Sequence, residues 1–351
     1  FNGRSEPYTR WWWLAGPFRE IDINYQLRWL KENGFGGVEI AWIRPLWYDR
    51  RESTDPGVEW LGADWSDLIA YTKQAAETLG LGCDFTFGSC WPFGGSCVRP
   101  AHALQAFDGV AGQQITSSWD SGEERWVLDH LNRDALRAYA EALMPAFQVG
   151  LAGQPSALFC DSLELHTHHM WSPQLWTRFE AKFGYDLHDY VQRLDDRPDV
   201  RYDYLKLISE TICREFFEEY TAICHEHGAL SRVQCHGTPG DLLSAYAAVD
   251  VPESEALLFN PPFSRSPASA AALNGKPVVS AETFTCIYGF PGREREAIRY
   301  WKAEQVADLK LLADAIFANG VNHIIWHGMP YNPPGGSNEF YAMVHVGPDA
   351  N

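Results

Sequence analysis

The chain has 351 residues, 46% of them hydrophobic, with 15 Trp and 15 Tyr, which is enough to build one large core or two modest ones. Its formal net charge of −18 disfavours nucleic acid and anionic membranes as partners, because both need clustered Lys and Arg to displace counterions; a neutral ligand such as a sugar suits it better. No run approaches the roughly 20 apolar residues of a membrane helix, and the N-terminus lacks a basic segment followed by an apolar one.

From one end to the other, short β-prone runs alternate with longer helical patterns, the rhythm of parallel strands joined by crossover helices. Strands are predicted at 10–16 (RWWWLAG), 37–43 (GVEIAWI), 82–89 (GCDFTFGS), 157–165 (ALFCDSLEL), 230–237 (LSRVQCHG), 248–252 (AVDVP), 277–282 (PVVSAE) and 323–327 (HIIWH). Amphipathic segments at 24–33, 66–79, 133–147 and 297–318 read as helices, several followed by a glycine where a helix stops. Eight such units predict an α/β fold, a single closed (β/α)8 TIM barrel over 1–351, for which about 250 residues is typical. The surplus falls in two insertions, a Gly-, Ser- and Trp-rich loop at 90–130 and a helical segment at 171–227.

After the eighth strand only a Pro/Gly-rich tail remains, so the helix that closes a barrel is expected outside this sequence, in a longer multidomain protein. The chain starts at Phe1 rather than Met, and compartment stays open. Of eight cysteines only Cys90 and Cys97 share a loop, which leaves a disulfide between them open; there is no CxxC pair of the structural zinc kind.

A barrel of this kind carries its active site at the C-terminal ends of the strands, which explains why the buried run ALFCDSLEL finishes in Asp161 and Glu164. Glu253 and Glu255 are placed at the end of the sixth strand and Glu282 at the end of the seventh. His236 and His327 are placed at the ends of the fifth and eighth. Glycosidic bond cleavage needs one protonated carboxyl to assist the leaving oxygen and one ionised carboxyl to attack or to activate water, and Glu164 and Glu282 fit that pair. Aromatic neighbours can desolvate one while a histidine such as His166, His168 or His327 keeps the other ionised. Trp42, Trp91, Trp171 and Trp326 stand at or beyond strand ends, where a sugar's C–H face could stack on them.

Other chemistries leave weaker traces. HTHH (166–169) beside Glu164 admits a metal-dependent hydrolase, although such barrels commonly carry paired histidines on the first strand, which here reads RWWWLAG. A hard cation such as calcium, held by carboxylate oxygens, fits better than zinc. In an extended segment Glu253 and Glu255 point to the same side, so a calcium ion or sugar hydroxyls between them, or pairing with Arg232 or Arg265, would relieve their repulsion. WPFGGSC (91–97) lacks the P-loop pattern, and no GxSxG elbow is present. A barrel that binds sugar without turning it over remains the alternative from another class.

In order and spacing, the stretches RWWWLAGPF, LKENGFGGVEIAW, AAETLGLGCDFTFGSCWPFGGSCV, CDSLEL, FGYDLHDYVQRL, HEHGALSRVQCHGTPGDLLSAYAAVDVPESEAL, KPVVSAETFT and LKLLADAIFANGVNHIIWHGMPY resemble the barrel of glycoside hydrolase family 106, the α-L-rhamnosidase-like enzymes. The resemblance implies removal of terminal α-L-rhamnose with inversion, by glutamates at the barrel mouth, with calcium near the sugar in some members and with β-rich domains after the barrel. Carried over by position, it implies Glu164 as an acid, Glu282 as its partner, and Glu253 and Glu255 as a base or cation ligands. The HTHH stretch departs from the family pattern and leaves the sugar open.

Overall fold

The computed structural model describes residues 5–14, 17–43, 58–89, 91–107, 113–115, 126–165, 167, 169–237, 239–256, 258–285, 287–288, 303–336 and 344–348. The Cys90 thiol, His166 and His168 lie outside these residues.

Eight parallel strands close into a barrel in which each strand pairs with its neighbours in sequence and the last returns to the first. They are β1 (Tyr8–Trp13), β2 (Gly37–Trp42), β3 (Gly82–Thr86), β4 (Ala157–Cys160), β5 (Leu230–Val233), β6 (Val251–Ala256), β7 (Ser280–Thr283) and β8 (His323–Pro330). All eight predicted strands are present, as the (β/α)8 barrel requires. β6 begins three residues late because Ala248 still closes the preceding helix, and Asp250 exchanges hydrogen bonds with Ser231 before pairing starts.

The helices are α1 (Glu20–Glu32), α2 (Ala63–Thr78), α3 (Arg133–Phe147), α4 (Leu175–Phe183), α5 (Pro198–Ile212), α6 (Glu218–Glu226), α7 (Leu242–Ala247), α8 (Arg265–Leu273) and α9 (Val306–Ala318). The start of α3 is fixed by Asn132, whose side chain accepts from the Asp134 N–H at 3.1 Å. α9 opens with a reciprocal cap between Gln305 and Asp308, so the helix pattern from 303 to 305 gives way to a cap there. α5 and α6 are joined through a π-helical turn, Cys213–Phe217, into one long element of the second insertion. The two insertions meet, because Gln105–Ala106 of the first pairs antiparallel with Met170–Trp171, just after β4, as well as with Gln113–Gln114.

Side chains alternate along each strand between the helix layer and the barrel interior. Trp11, Trp13, Val38, Ile40, Cys83, Phe85, Leu158 and Cys160 face outward into the main hydrophobic core. Inward, Tyr8 forms the barrel floor. Its ring lies where a Cβ on Gly37 would come within 2.5 Å and one on Gly82 within 1.8 Å, so two neighbouring strands must be side-chain-free at that level. His323 closes the floor edge-on to Tyr8 at 4.9 Å.

Candidate active site

Above the floor the interior is charged. From β1 and β5, the buried guanidinium groups of Arg10 and Arg232 face Glu39 of β2, Asp84 of β3, Glu253 of β6 and Glu282 of β7. Arg10 Nε donates to Glu39 Oε1 at 2.8 Å, its Nη1 donates to Glu282 Oε2, and its Nη2 lies 3.6 Å from Glu253 Oε1. Arg232 Nη1 donates to Asp84 Oδ2 at 3.0 Å and its Nε lies 2.9 Å from Glu253 Oε2. The ring of Phe159 lies beneath both, 4.1 Å from the Arg10 and 5.1 Å from the Arg232 guanidinium carbon. Guanidinium keeps its proton in proteins, so these two groups fix the charge state of the carboxylates around them.

Glu282 stands at the top of this network, buried, with every oxygen served. Oε2 accepts from Arg10 and from Gln234 Nε2 at 2.7 Å, and Oε1 lies 3.1 Å from His327 Nε2. Burial alone would raise its carboxyl, but the Arg10 charge, His327 and these hydrogen bonds outweigh it and hold Glu282 below the ordinary glutamate value. Burial pushes His327 down to about 4. The imidazole is therefore neutral near pH 7: its Nε2–H donates to Glu282 while Nδ1 accepts from the Thr285 hydroxyl at 2.6 Å.

Asp161 and Glu164, just beyond β4, behave oppositely. Burial and then the Glu282 charge raise Asp161 well above the usual carboxylate range. Glu164 is open to solvent on one side, and the loops around it desolvate the other; that, followed by the charges of Glu255 and Glu282, raises its carboxyl as well. It accepts from Ser162 Oγ at 3.3 Å and from Trp91. Its loop is locked to the end of β5, since Leu163 N–H donates to the His236 carbonyl at 3.2 Å. Gly237 has a φ of +79°, and a Cβ there would come within 2.5 Å of the Leu163 carbonyl oxygen. His236 Nε2 in turn sits 2.8 Å from Glu255 Oε2. Asp161, Glu164, Glu255 and Glu282 thus share one mouth, where Arg10, Trp12, Thr86, Trp91 and Asp161 line a narrow crevice.

Several sequence expectations change at this point. Glu253 is not at a strand end. It is fully buried in mid-strand, with Oε2 shared by Arg232 and Ser280 Oγ at 2.7 Å and Oε1 3.2 Å from Gln234 Nε2, so the arginine pairing is the arrangement found. As a calcium ligand Glu253 does not fit, because both oxygens already serve cations and donors; among the described residues no three His, Cys, Asp or Glu side chains are placed to hold a metal ion. Trp42 points outward from β2 and is buried edge-on against Trp65. Trp326 also points outward, donating its indole N–H to the Val344 carbonyl at 2.7 Å and packing on Phe284. Trp326 therefore belongs to the helix layer; Trp42, although packed there, also borders the crevice at the mouth together with Trp12 and Trp91. Arg10, Glu39, Asp84 and Gln234 were missed, although a polar or charged residue inside the apolar runs RWWW, GVEIAW, GCDFTF and LSRVQC is a readable signal. A cavity of 1390 Å³, lined by Tyr202, Lys206, Ser209 and Asp241, lies on the barrel flank, with Leu165, Thr167 and Gly237 of the loops after β4 and β5 also in its wall.

A parallel barrel with carboxyl groups of opposed tendency at its C-terminal mouth is the architecture of a barrel hydrolase. The family model of glycoside hydrolase family 106, described as alpha-L-rhamnosidase, matches residues 120–344, and the chain belongs to that family. A rhamnosidase structure from Novosphingobium sp. PP1Y is similar over 94% of this chain and 55% of its own, with a TM-score of 0.73 and 13% identity. A beta-galactosidase structure from Marinomonas ef1 is similar over 99% of this chain and 57% of its own, with a TM-score of 0.62 and 11% identity. A provisionally named beta-glucuronidase of Formosa agariphila is 27% identical over 184 residues, 49% of this chain and 15% of that protein. The chain thus spans little more than half the length of these solved structures and a smaller share of the curated relative. Among the described residues no helix is long and apolar enough to cross a membrane.

Proposed function

We propose that this chain is the catalytic barrel of a glycosidase that removes a terminal α-L-rhamnose, with Glu164 as general acid and Glu282 as its ionised partner. The observation that carries the reading is the opposition of the two carboxyl groups. Glu282 is held ionised by Arg10, Gln234 and the neutral His327, while Glu164 is held toward its protonated form by desolvation and by Glu255. In the inverting course that the family resemblance implies, Glu164 gives its proton to the glycosidic oxygen as the C1–O bond breaks. Glu282 takes a proton from the water whose oxygen bonds to C1. The turnover leaves Glu164 ionised and Glu282 protonated, and exchange with solvent resets both. Rhamnose as the sugar draws support from the family description and from the Novosphingobium structure; a neutral hexose also suits an acidic chain.

The test is hydrolysis of 4-nitrophenyl α-L-rhamnopyranoside, with the matching β-D-glucuronide as the competing sugar. Glu164→Gln and Glu282→Gln are each expected to lower kcat by about a hundredfold or more with the fold intact by circular dichroism. Near-wild-type rates in both variants would remove the pair, and preferential cleavage of the glucuronide would remove rhamnose.

A further inference from the structure

Beside the carboxyl groups, the loop that follows β6 carries apolar rings into solvent. Phe259 is 47% exposed and Phe263 39%, with Leu258 next to them at 38%. Exposed aromatic rings at the rim of a barrel mouth are costly unless something covers them. The loop is held in place. Phe259 N–H donates to the Ile287 carbonyl beyond β7 at 3.3 Å, and the turn Pro261–Ser264 is anchored by a 2.9 Å hydrogen bond between the Ser264 and Ser254 hydroxyls.

Phe263 connects this apolar loop to the acid. The Phe263 ring stands edge-on to the His236 imidazole at 5.0 Å, His236 Nε2 lies 2.8 Å from Glu255 Oε2, and the Glu255 charge acts on Glu164. Glu255 is partly exposed, and among the described residues its Oε1 accepts no hydrogen bond. An apolar plate next to a carboxylate oxygen with spare capacity matches a ring that has a C–H face and a hydroxylated edge. A flat aromatic group would cover the plate and leave Glu255 unserved.

We propose that Phe259 and Phe263 form the subsite for the leaving sugar, the pyranose on the far side of the scissile bond, stacked by its C–H face with its hydroxyl edge toward Glu255. The proposal rests on Glu164 being the acid, because Glu255 and its partner His236 link the loop after β6 to the side from which the leaving oxygen is protonated. It also gives Phe263 a reason to be exposed when most of the large aromatic rings among the described residues are buried.

The experiment compares the wild type with Phe259→Ala and Phe263→Leu on three substrates: an α-L-rhamnosyl-glucose disaccharide, 4-nitrophenyl α-L-rhamnopyranoside and methyl α-L-rhamnopyranoside. The kcat/KM ratio of disaccharide to methyl glycoside is expected to fall about tenfold in either variant, the loss of one aromatic contact that a one-ring substrate does not make. An equal fall on all three substrates would show that the rings only support His236, and a fall confined to the aryl glycoside would assign the patch to an aromatic leaving group; each overturns the proposal. If the wild type cleaves none of them, the catalytic reading fails, and saturation-transfer NMR with the disaccharide decides the subsite. Transfer to the C–H protons of the reducing sugar that is lost in Phe259→Ala supports it, and absence of such transfer in the wild type overturns it.

Discussion

Arg10 lies within reach of three carboxylates on three other strands, Glu39, Glu253 and Glu282, and its burial makes each of those contacts consequential. A buried ion pair does not by itself imply stability, because desolvation offsets much of the attraction. Here the arrangement has a chemical use: it keeps Glu282 ionised where burial would protonate it. Gln234 adds a neutral donor to the same oxygen at 2.7 Å. Gln234→Leu removes that donor and leaves the Arg10 contact, so the Glu282 carboxyl rises. A base must be ionised to act, and its activity falls as pH drops through its pKa. The acid limb of kcat/KM should therefore move to higher pH by about one unit, read from the pH profile on the aryl rhamnoside. An unmoved limb would show that Glu282 is not the group that titrates there.

At the scale of the element, the barrel floor depends on two strands yielding space to a third. Tyr8 of β1 lies across Gly37 of β2 and Gly82 of β3, and a Cβ at Gly82 would come within 1.8 Å of the Tyr8 oxygen. A rigid ring enclosed by strands cannot swing away as a flexible chain end could. Gly82→Ala is expected to destabilise the barrel by about 1–3 kcal/mol, the usual cost of overpacking, measured by urea unfolding. Combining it with Tyr8→Leu should cost less than the two changes summed, since the clash vanishes with the ring. Additive costs would place the strain elsewhere. The same close approach explains why the runs at 37–43 and 82–89 both open with glycine, a position that β propensity alone would disfavour.

For the whole molecule, stability and pH are coupled through imidazoles that the fold keeps neutral. Burial lowers His130 to about 4, His323 to about 3 and His327 to about 4. An unfolded histidine titrates near about 6.5, so between that value and the folded one the unfolded chain binds more protons. The contribution of such a group is complete above about pH 6.5 and declines as pH falls toward the folded value. Burial raises Asp129 to about 7, which acts in the opposite sense over the same range, so a single-site comparison is the clean measurement. His130 donates from Nδ1 to the Leu128 carbonyl at 2.7 Å and packs on Phe216, and an asparagine can keep that hydrogen bond. Wild type minus His130→Asn stability should shrink by about 2 kcal/mol between pH 7 and pH 5, from about 1.4 kcal/mol per pH unit below 6.5. A difference independent of pH would mean that His130 is not held neutral by the fold.

The order of elements was legible from the sequence, because a strand period of two, a helical period near 3.6 and glycine stops are local properties of the chain. The same locality marked Asp161, Glu164 and Glu282 as acids beyond apolar runs, and with them the mouth of the barrel. What local pattern could not decide was the phase of each strand and the partner of each charge. Whether a tryptophan faces the mouth or the helices depends on register against neighbouring strands; that register turns Trp12 inward and Trp326 outward, and leaves Trp42 packed on Trp65 at the edge of the mouth crevice. Glu253 looked like a rim acid because the predicted sixth strand ended at 252. The strand runs on to Ala256 since Arg10, more than two hundred residues away, and Arg232 of the adjacent strand neutralise Glu253 inside the barrel. Charge compensation of this kind is a property of barrel closure, which brings β1, β5, β6 and β7 within hydrogen-bonding distance of one another; only the tertiary structure could therefore separate the buried Glu253 from Glu255, which remains at the mouth.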